Sequence, residues 1–321
     1  MICAIGDERN DIMPPKPRIL VAGSTNIDFV ASVDTVPAAG ETIISEGAYS
    51  FVPGGKGANA AVAGARLGAD VVFCAKTGND SYGKFLKKTY VDEGIDTRYV
   101  IADKEANTGL ASIFVESNGN NRITVFPGAN RTLSADDVEE AFTTYPDALL
   151  VQFEIPHETV EAAIKFANDA DVPAFVDAGP FSPDIKLENL GKMEIFSPNE
   201  TEAYEFTGVR PINAESYIRI CLDLYSRLDV KYIVLKLGGK GCYLYDGHLG
   251  EAFPSYHVCA VDTTAAGDAF TAALTYEYLR SGNIRSACMY ANAVGALTVT
   301  KMGALPSLPT EKEVVEFIKN N

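Results

Sequence analysis

The chain has 321 residues, of which 47% are hydrophobic, 27 are basic and 43 are acidic, so its formal net charge is −16. This length is long for one compact domain, although open α/β sheets often reach it with an appended segment. The acidic balance argues against a general nucleic-acid or membrane-surface binder, since both need clustered positive charge. The negative net charge does not exclude a nucleotide ligand, which needs only a small local binding site.

The cysteines and the N-terminus indicate the compartment. Six cysteines are scattered without CxxC pairs or neighbouring histidines, which disfavours a zinc site and a disulfide framework and fits a reducing compartment. The N-terminus lacks a signal peptide, and no apolar run approaches the roughly 20 residues that span a bilayer. We therefore expect a soluble, cytoplasmic protein with a flexible leader over residues 1–17.

The predicted elements alternate along most of the chain. Strands are predicted at 18–22, 71–75, 148–153, 174–176, 194–196 and 232–235, and helices at 56–67, 82–93, 158–168, from 201, 214–228, 267–280, 285–299 and 310–320. Ser134 and Asp137 resemble a capping box before another short helix. This alternation predicts an α/β fold, a doubly wound and mostly parallel sheet in a three-layer, Rossmann-type arrangement.

Two β-rich stretches interrupt the alternation. The first runs from 29 to 51, and the second, from 108 to 126, contains the hairpin signal Asn118-Gly119-Asn120-Asn121. They predict a small sheet of their own.

The run AVDTTAAGD (260–268) directly precedes a predicted helix that we expect to be strongly amphipathic, since Phe270, Ala273, Leu274 and Tyr278 fall on one face. Small residues leave backbone N–H groups uncovered, and a helix N-terminus carries partial positive charge, so this turn suits a developing anion. A carboxylate, Asp268, lies at its mouth. The arrangement suggests phosphoryl transfer to a hydroxyl, although an acidic first-turn residue also stabilises a helix by itself.

Five further clusters follow predicted strands or open predicted helices. They are Asn26 with Asp28, GGKGAN (54–59), Glu154, SPNETE (197–202) and KLGGKG (236–241). Polar side chains at strand ends suit vicinal hydroxyls, glycines permit close approach to phosphates, and Glu202 suits a hydrated Mg²⁺. Each cluster also has an ordinary structural reading as a turn, a loop residue or a helix cap. GKGANA (55–60) matches the GxGxxA dinucleotide fingerprint, but Pro53 precedes it and no acidic strand-end residue follows at the required distance.

Taken together, the chain resembles the ribokinase family of carbohydrate kinases from about Arg18 to its C-terminus. The motifs that carry the resemblance are GSTNID (23–28), GGKGAN (54–59), SPNETEA (197–203) and AVDTTAAGD (260–268), in this order. The resemblance implies a single ribokinase-like domain over 18–321 and ATP-dependent phosphorylation of the 5-hydroxyl of D-ribose.

The resemblance also implies a role for individual residues. Asp268 matches the catalytic base, with Ala265, Ala266 and Gly267 as the anion hole; Asn26, Asp28, Gly54, Gly55, Lys56, Asn59 and Glu154 match sugar contacts; and Asn199, Lys236, Gly238, Gly239, Gly241 and Asn292 match nucleotide contacts. Glu202 matches a position that holds Mg²⁺ through water, and Asp262, Thr264, Thr298, Lys301, Gly303 and Ser307 match a loop pair that binds K⁺.

The β-rich stretches, at about 28–51 and 106–126, match a lid over the sugar that often forms a homodimer contact. Four residues depart from the family's usual pattern, namely Ser197 for Thr, Lys236 for Thr, Asn292 for His and Asp177 for Asn. These departures touch nucleotide contacts more than sugar contacts.

Other functions remain open at this point. A kinase for deoxyribose, fructose or adenosine would use the same constellation, since these first-turn and strand-end residues tolerate related polyols. A non-catalytic sugar-binding relative is a more distant alternative, because such a protein should lack the base or the anion hole. An NAD-dependent oxidoreductase rests on the GxGxxA match alone.

Overall fold

The computed structural model describes residues 16–117 and 120–321, which form thirteen strands and nine α-helices. The strands are β1 (Arg18–Ala22), β2 (Asn26–Val33), β3 (Tyr49–Gly54), β4 (Asp70–Gly78), β5 (Val100–Asp103), β6 (Gly109–Glu116), β7 (Asn121–Phe126), β8 (Ala148–Gln152), β9 (Ala174–Asp177), β10 (Lys192–Ser197), β11 (Asp229–Lys236), β12 (Cys242–Tyr245) and β13 (Gly250–Phe253). The helices are α1 (Lys56–Arg66), α2 (Ser81–Asp92), α3 (Ala135–Phe142), α4 (His157–Asp169), α5 (Glu200–Thr207), α6 (Ala214–Arg227), α7 (Ala266–Ser281), α8 (Ile284–Thr298) and α9 (Glu311–Asn320). Apart from its last two residues, the predicted leader lies outside the described residues, as do Asn118 and Gly119 of the predicted hairpin turn.

Nine strands form the main sheet, in the order β13-β12-β11-β10-β9-β8-β1-β4-β5. The seven strands from β11 to β5 run parallel, and β12 and β13 add an antiparallel edge. Helices α1, α2 and α7–α9 contribute to the core on one face, and α3–α6 contribute to the core on the other. This confirms the predicted α/β fold class.

Alternation within the strands explains how the sheet is buried on both sides. In β1, Ile19 and Val21 belong to one core, whereas Leu20 and Ala22 belong to the other. All four side chains are almost completely buried. The sequence of a parallel strand that is covered on both faces is therefore a continuous apolar run. For this reason the sequence predicts β1 with the same bounds that the structure shows.

The strand order reverses next to β1, and this reversal positions the candidate site. Going along the chain, β4 and β5 are added on one side of β1, whereas β8–β11 are added on the other. Loops that leave the carboxyl ends of β1 and β8 therefore diverge and leave a crevice between them.

Four strands form the small sheet, in the order β3-β2-β6-β7. Strand β2 pairs antiparallel with β3 and parallel with β6, and β6 pairs antiparallel with β7. The register places Asn26 opposite both Gly54 and Gly109, so strands β2, β3 and β6 meet at the edge next to the main sheet. This second sheet was predicted from the two β-rich stretches.

The structure differs from the sequence prediction in two places. Strands β5, β12 and β13 were not predicted, because each has only four residues and so short a run gives a weak sequence pattern. Helix α7 was predicted to be strongly amphipathic, and this is wrong: every residue from Asp268 to Glu277 is buried. The helix packs against α1 and α8 and is covered all round.

No helix among the described residues combines the length and the apolar character that crossing a membrane requires.

Arg66, the last residue of α1, fastens this helix to the C-terminal part of the chain. Its guanidinium donates to both carboxylate oxygens of Glu93, at 2.6 and 2.9 Å, and Nη1 donates to the carbonyls of Leu305 and Leu308, at 2.8 Å each. A planar fork is needed to reach these four acceptors together.

We expect Arg66→Met to lower the free energy of unfolding by about 2–3 kcal/mol, because a partly buried carboxylate and two carbonyls lose a charged donor. Urea unfolding followed by circular dichroism measures this. Lys88→Met serves as the control, since Lys88 forms an exposed pair with Asp92 and should change the value by less than about 0.5 kcal/mol. Equal losses in the two variants would contradict the anchoring role.

Candidate active site

The start of α1 brings one carboxylate to the crevice. Glu154, which follows β8, accepts hydrogen bonds through Oε2 from the Lys56 amide at 3.0 Å and from Ser24 Oγ at 2.5 Å. A helix N-terminus offers free N–H groups, so it stabilises this negative charge. The loops after β1 and β8 and the first turn of α1 are thereby joined.

Glycines allow the chain to enter α1 tightly. Gly55 has a φ of 94°, a conformation that side chains other than glycine rarely adopt. At Gly57 a Cβ would lie 2.6 Å from the backbone of Gly23. The residues that match the dinucleotide fingerprint therefore serve a turn and a close helix–strand contact.

Asp268 lies in the first turn of α7 and is held by two residues of α1. Lys56 Nζ is 3.3 Å from Asp268 Oδ1, and Asn59 Nδ2 donates to Asp268 Oδ2 at 2.8 Å. Burial alone would lower the pKa of Lys56, but nearby carboxylates, with Asp268 the strongest, hold it above its ordinary value. The ammonium therefore stays charged beside Asp268.

Asp28, on β2 of the small sheet, is the second acidic group of this cluster. Burial, reinforced by the charges of Glu154 and Asp268, raises the pKa of Asp28 to about 7. Its Oδ1 is buried without a hydrogen-bond partner. A Cβ at Gly54 would lie 2.1 Å from Asp28 Oδ2, so only glycine fits there. A ligand with hydroxyl donors would satisfy this carboxylate and favour its ionised form.

The turn before α7 has a strained backbone. Ala265 adopts a left-handed conformation, with φ 61° and ψ −1°, which costs energy for a residue with a Cβ. The Ala266 amide donates to the Thr263 carbonyl at 3.3 Å. Among the described residues, the next two amides, of Gly267 and Asp268, have no protein acceptor. These two N–H groups are therefore available to an anion.

Two cavities are bordered by residues of the predicted site. One, of about 570 Å³, is bordered by Ser24, Asn26, Asn130 and Glu154 and by Val125 of the small sheet. The other, of about 620 Å³, is lined by Asn199, Lys236, Gly238, Gly239, Gly241, Ala266, Gly267 and Asn292 among others. Asp28, Lys56, Asn59 and Asp268 are not among the residues that line either cavity. Lys56 is linked to the first cavity by its hydrogen bond to Glu154, and Asp268 follows Gly267 of the second.

The residues predicted to contact a nucleotide border one cavity, but their side chains are not equally free. Asn292 donates through Nδ2 to the carbonyls of Phe253 and Pro254, at 3.0 and 3.3 Å. Asn199 caps α5 by accepting from the amides of Thr201 and Glu202. Both amide side chains therefore shape the cavity wall by holding local backbone.

A buried ion pair lies at the floor of the second cavity. Lys236 Nζ is 2.6 Å from Asp177 Oδ2, which also accepts from Thr271 Oγ1 at 2.5 Å. Burial opposes the charge on Asp177, but Lys236 and Lys56 outweigh it and hold the pKa of Asp177 below its ordinary value. Two of the residues that depart from the family pattern, Asp177 and Lys236, thus compensate each other.

Oxygen atoms suited to a divalent cation lie near this pair. Asp177 Oδ1 is buried without a partner, and Glu202 uses Oε2 to accept from the Asn199 amide, at 2.8 Å. Burial, together with the charge of Asp177, raises the pKa of Glu202. Two acidic groups that are incompletely paired beside a phosphate-sized cavity fit a Mg²⁺ ion with its waters.

The residues predicted to hold a monovalent cation form two segments that are hydrogen-bonded to each other. Asp262 accepts from the amide and hydroxyl of Thr264 through Oδ1 and from the Gly303 amide, at 2.8 Å, through Oδ2. Lys301 directs its ammonium to Glu313, at 2.8 Å. The hydroxyls of Thr298 and Ser307 are buried and donate to nearby carbonyls. Carboxylate, hydroxyl and carbonyl oxygens of this kind suit a hard cation.

Comparison with known proteins identifies the family. The model of the pfkB family of carbohydrate kinases matches residues 16–311. The chain belongs to this family. A ribokinase of Haemophilus influenzae is 36% identical over 304 residues, which cover 94% of this chain and 98% of that protein. A deoxyribokinase of Salmonella typhimurium is 31% identical over 305 residues, which cover 94% and 99%.

A solved structure agrees with this membership of the pfkB family. The structure of Arabidopsis thaliana ribokinase complexed with ribose and ATP superposes with a TM-score of 0.87 at 31% identity, and the match covers 95% of this chain and 99% of that one.

Sequence reasoning missed several polar residues of this pfkB-family site. Ser24 and Thr271 bond to its carboxylates, and Asn130 bonds to Asn26. Asp177 was noted only as a departure. Ser24 lies inside the GSTNID motif, whereas Thr271 and Asn130 lie outside the motifs and acquire their partners only through the folding of distant segments.

We expect Asp28→Asn to stabilise the fold at pH 8 by an amount on the order of 2–4 kcal/mol. Because the folded-state pKa of Asp28 is raised to about 7, the native protein loses stability as the pH rises from about 4 to about 7, and the penalty persists above that. Asparagine carries no charge at any of these pH values, so the variant does not undergo this loss of stability. Urea unfolding at pH 5 and pH 8 measures the difference.

The exposed Asp136 provides the control for this experiment, and Asp136→Asn should keep the pH dependence of the wild type. If Asp28→Asn and the wild type lose the same stability between pH 5 and pH 8, the raised pKa is wrong.

Proposed function

We propose that this protein is an ATP-dependent kinase that phosphorylates the 5-hydroxyl of D-ribose and releases ribose 5-phosphate and ADP. The observation that carries the proposal is the Asp268 carboxylate, held by Lys56 and Asn59 in the first turn of a helix whose Gly267 lines the second cavity. Membership of the pfkB family supports a carbohydrate acceptor. The ribokinase relative of H. influenzae and the A. thaliana structure with ribose and ATP support ribose.

The sugar is proposed to bind between the small sheet and α1. Its contacts are Asn26, Asp28, the backbone of Gly54 and Gly55, Lys56, Asn59 and Glu154. Asp28 and Glu154 offer acceptors to hydroxyl groups, and the buried, unpartnered Oδ1 of Asp28 gains a partner when a hydroxyl donates to it. In the free protein the pKa of Asp28 is about 7, so we expect sugar affinity to rise from pH 6 to pH 8.

Asp268 is proposed as the base that receives the proton of the attacking hydroxyl. The hydroxyl oxygen forms a bond to the γ-phosphorus, the bond from that phosphorus to the β–γ bridging oxygen breaks, and the proton passes to Asp268. Such transfers proceed through a loose transition state, so positioning and charge stabilisation supply most of the catalysis. The amides of Gly267 and Asp268 face the charge that develops on the moving phosphoryl group.

The nucleotide is proposed to occupy the cavity lined by Asn199, Lys236, Gly238, Gly239, Gly241 and Asn292. Glu202, through water, and Asp177 would hold Mg²⁺ beside its phosphates. A divalent cation there neutralises phosphate charge as the β–γ bond breaks. Lys236, whose Nζ lies 2.6 Å from Asp177 Oδ2, contributes a second positive charge on the same wall.

A monovalent cation, K⁺, is proposed behind the turn that precedes α7. Asp262, Thr264, Thr298, Lys301, Gly303 and Ser307 would hold it, with Lys301 contributing its carbonyl because its ammonium is engaged by Glu313. Positive charge there would support the strained backbone at Ala265 and the amides that follow it.

The small sheet is proposed to act as a lid and as the contact of a homodimer. Its outer strands carry exposed apolar side chains, among them Tyr49 and Phe51 on β3 and Ile123 and Phe126 on β7. Outer strands with apolar residues tend to pair with another chain. Closure would exclude water, which otherwise competes as the phosphoryl acceptor.

A related sugar is the second candidate acceptor, and the 31% identity to a deoxyribokinase is the observation that favours it. Fructose and adenosine are further alternatives. A non-catalytic sugar-binding protein is disfavoured because Asp268 and the free helix N-terminus are both present. An NAD-dependent oxidoreductase is disfavoured because Gly57 packs on Gly23.

We expect Asp268→Asn to lower kcat for ribose by about 10²- to 10⁴-fold while ribose affinity changes by less than about tenfold, because the amide keeps the shape but accepts no proton. A coupled assay of ADP formation with ribose, deoxyribose, fructose and adenosine measures activity, and calorimetry measures binding. Asp136→Asn, another first-turn aspartate, is the control and should retain full activity.

Wild-type turnover of ribose no better than that of fructose or adenosine would exclude the ribose assignment. Full activity of Asp268→Asn would exclude the proposed base.

We also expect the initial rate to rise and saturate as K⁺ replaces tetramethylammonium at constant ionic strength, because an ion in the loop around Asp262 supports the turn before α7. The measurement is the same coupled assay at saturating ribose and ATP. Equal rates in the two salts would argue against a cation site there.

A further inference from the structure

Asn130 is a buried polar residue outside the predicted motifs. It lies in the short 3₁₀ turn Gly128–Thr132 after β7, and only 2% of its surface is exposed. Its Oδ1 accepts from the Thr25 amide at 2.9 Å, and its Nδ2 donates to the Thr25 carbonyl at 3.2 Å and to Asn26 Oδ1 at 2.7 Å. Asn130 therefore joins the end of the small sheet to the residues that follow β1.

Main-chain groups of known polarity fix the orientation of the Asn130 amide. A backbone N–H only donates and a carbonyl only accepts, so Oδ1 must face the Thr25 amide and Nδ2 must face the Thr25 carbonyl. The same Nδ2 then requires an acceptor on Asn26, and that acceptor is Oδ1. The two N–H donors of Asn26 are left on the other side of its side chain.

Those donors are free to meet a ligand. Asn26 borders the cavity that also contains Glu154. Within residues 16–117 and 120–321, Asn26 Nδ2 donates to no protein acceptor, yet it is not among the atoms sealed from solvent. It therefore adds a neutral donor to a wall on which Glu154 supplies an acceptor.

The contact between the two amides is tightly enclosed. A Cβ at Gly109 of β6 would lie 2.3 Å from Asn26 Oδ1 and 2.4 Å from Asn130 Nδ2. The strand therefore packs directly against this pair, and any side chain at position 109 would displace one of the two amides.

We infer that Asn130 is a positioning residue, which holds the Asn26 amide so that its donor side faces an oxygen of the acceptor sugar. The inference rests on the sugar-kinase function proposed above. This orientation makes Asn26 selective for sugars that carry an oxygen at that position. A sugar without that oxygen leaves the N–H donor of Asn26 without a hydrogen-bond partner.

The first variant reverses the polarity of the contact. Asn130→Asp places a carboxylate oxygen against Asn26 Oδ1, so the Asn26 amide must turn its donor away from the sugar. The KM and the calorimetric Kd for ribose should both rise at least tenfold, whereas the KM for ATP should change less than twofold, because no residue of this pair lines the nucleotide cavity.

A second variant tests the donor without altering Asn130. In Asn26→Asp one carboxylate oxygen still accepts from Asn130, while the other replaces the donor that faces the cavity. It should reproduce the loss of ribose affinity, and it remains informative if Asn130→Asp does not fold. Unchanged ribose affinity in Asn26→Asp would overturn the inference.

A double-mutant cycle separates positioning from general stabilisation. If Asn130 acts through Asn26, adding Asn130→Asp to Asn26→Ala should change ribose KM by less than about twofold, because the group that it orients is already absent. If the two effects instead multiply, Asn130 supports the fold and the inference fails. Thr132→Val is the control on the same turn, since Thr132 bonds to Asp103 and should leave ribose KM unchanged.

Wild-type enzyme measured in parallel separates this inference from the proposed function. If the wild type prefers another sugar of the panel, ribose phosphorylation is wrong and the same variants are measured with that sugar. If the wild type uses ribose but Asn130→Asp binds it normally, only the positioning role is wrong.

Discussion

The contact of Asp268 with Lys56 and Asn59 is the interaction on which the rest of the site depends. It joins the first turns of α1 and α7, which pack against each other although more than 200 residues separate them. Glu154 accepts from the free Lys56 amide at the start of α1, and the first turn of α7 carries Asp268. The relative position of these two carboxylates is therefore set by helix packing, which is more rigid than a loop.

Charge compensation joins two residues that lie far apart along the chain. Lys236 alone would place an unpaired ammonium in a buried wall, and Asp177 alone an unpaired carboxylate, and either costs about 3–5 kcal/mol. As a pair 2.6 Å apart, with Thr271 donating to the same oxygen, they are tolerated. Two residues that look independent in the sequence therefore form one structural unit.

Much of the fold could be predicted because its determinants are local. The apolar run of β1 and the capping box of Ser134 with Asp137 both appear in the structure as expected. What could not be predicted depends on contacts between distant segments. Strand β12 pairs with β11 on one side and with β13 on the other, and α7 is covered all round because α1 and α8 enclose it. The raised pKa of Asp28 arises from burial, reinforced by the charges of Glu154 and Asp268, which are far away in sequence.

Asp28 belongs to the small sheet, whereas Lys56 and Asn59 belong to a helix of the main layer. A sugar that bonds to Asp28 and to the α1 residues would therefore connect the small sheet to the main layer. Among the described residues, none of the small sheet borders the nucleotide cavity. If the small sheet is the lid proposed above, its closure would therefore depend on the acceptor sugar, and ATP bound alone would leave it open.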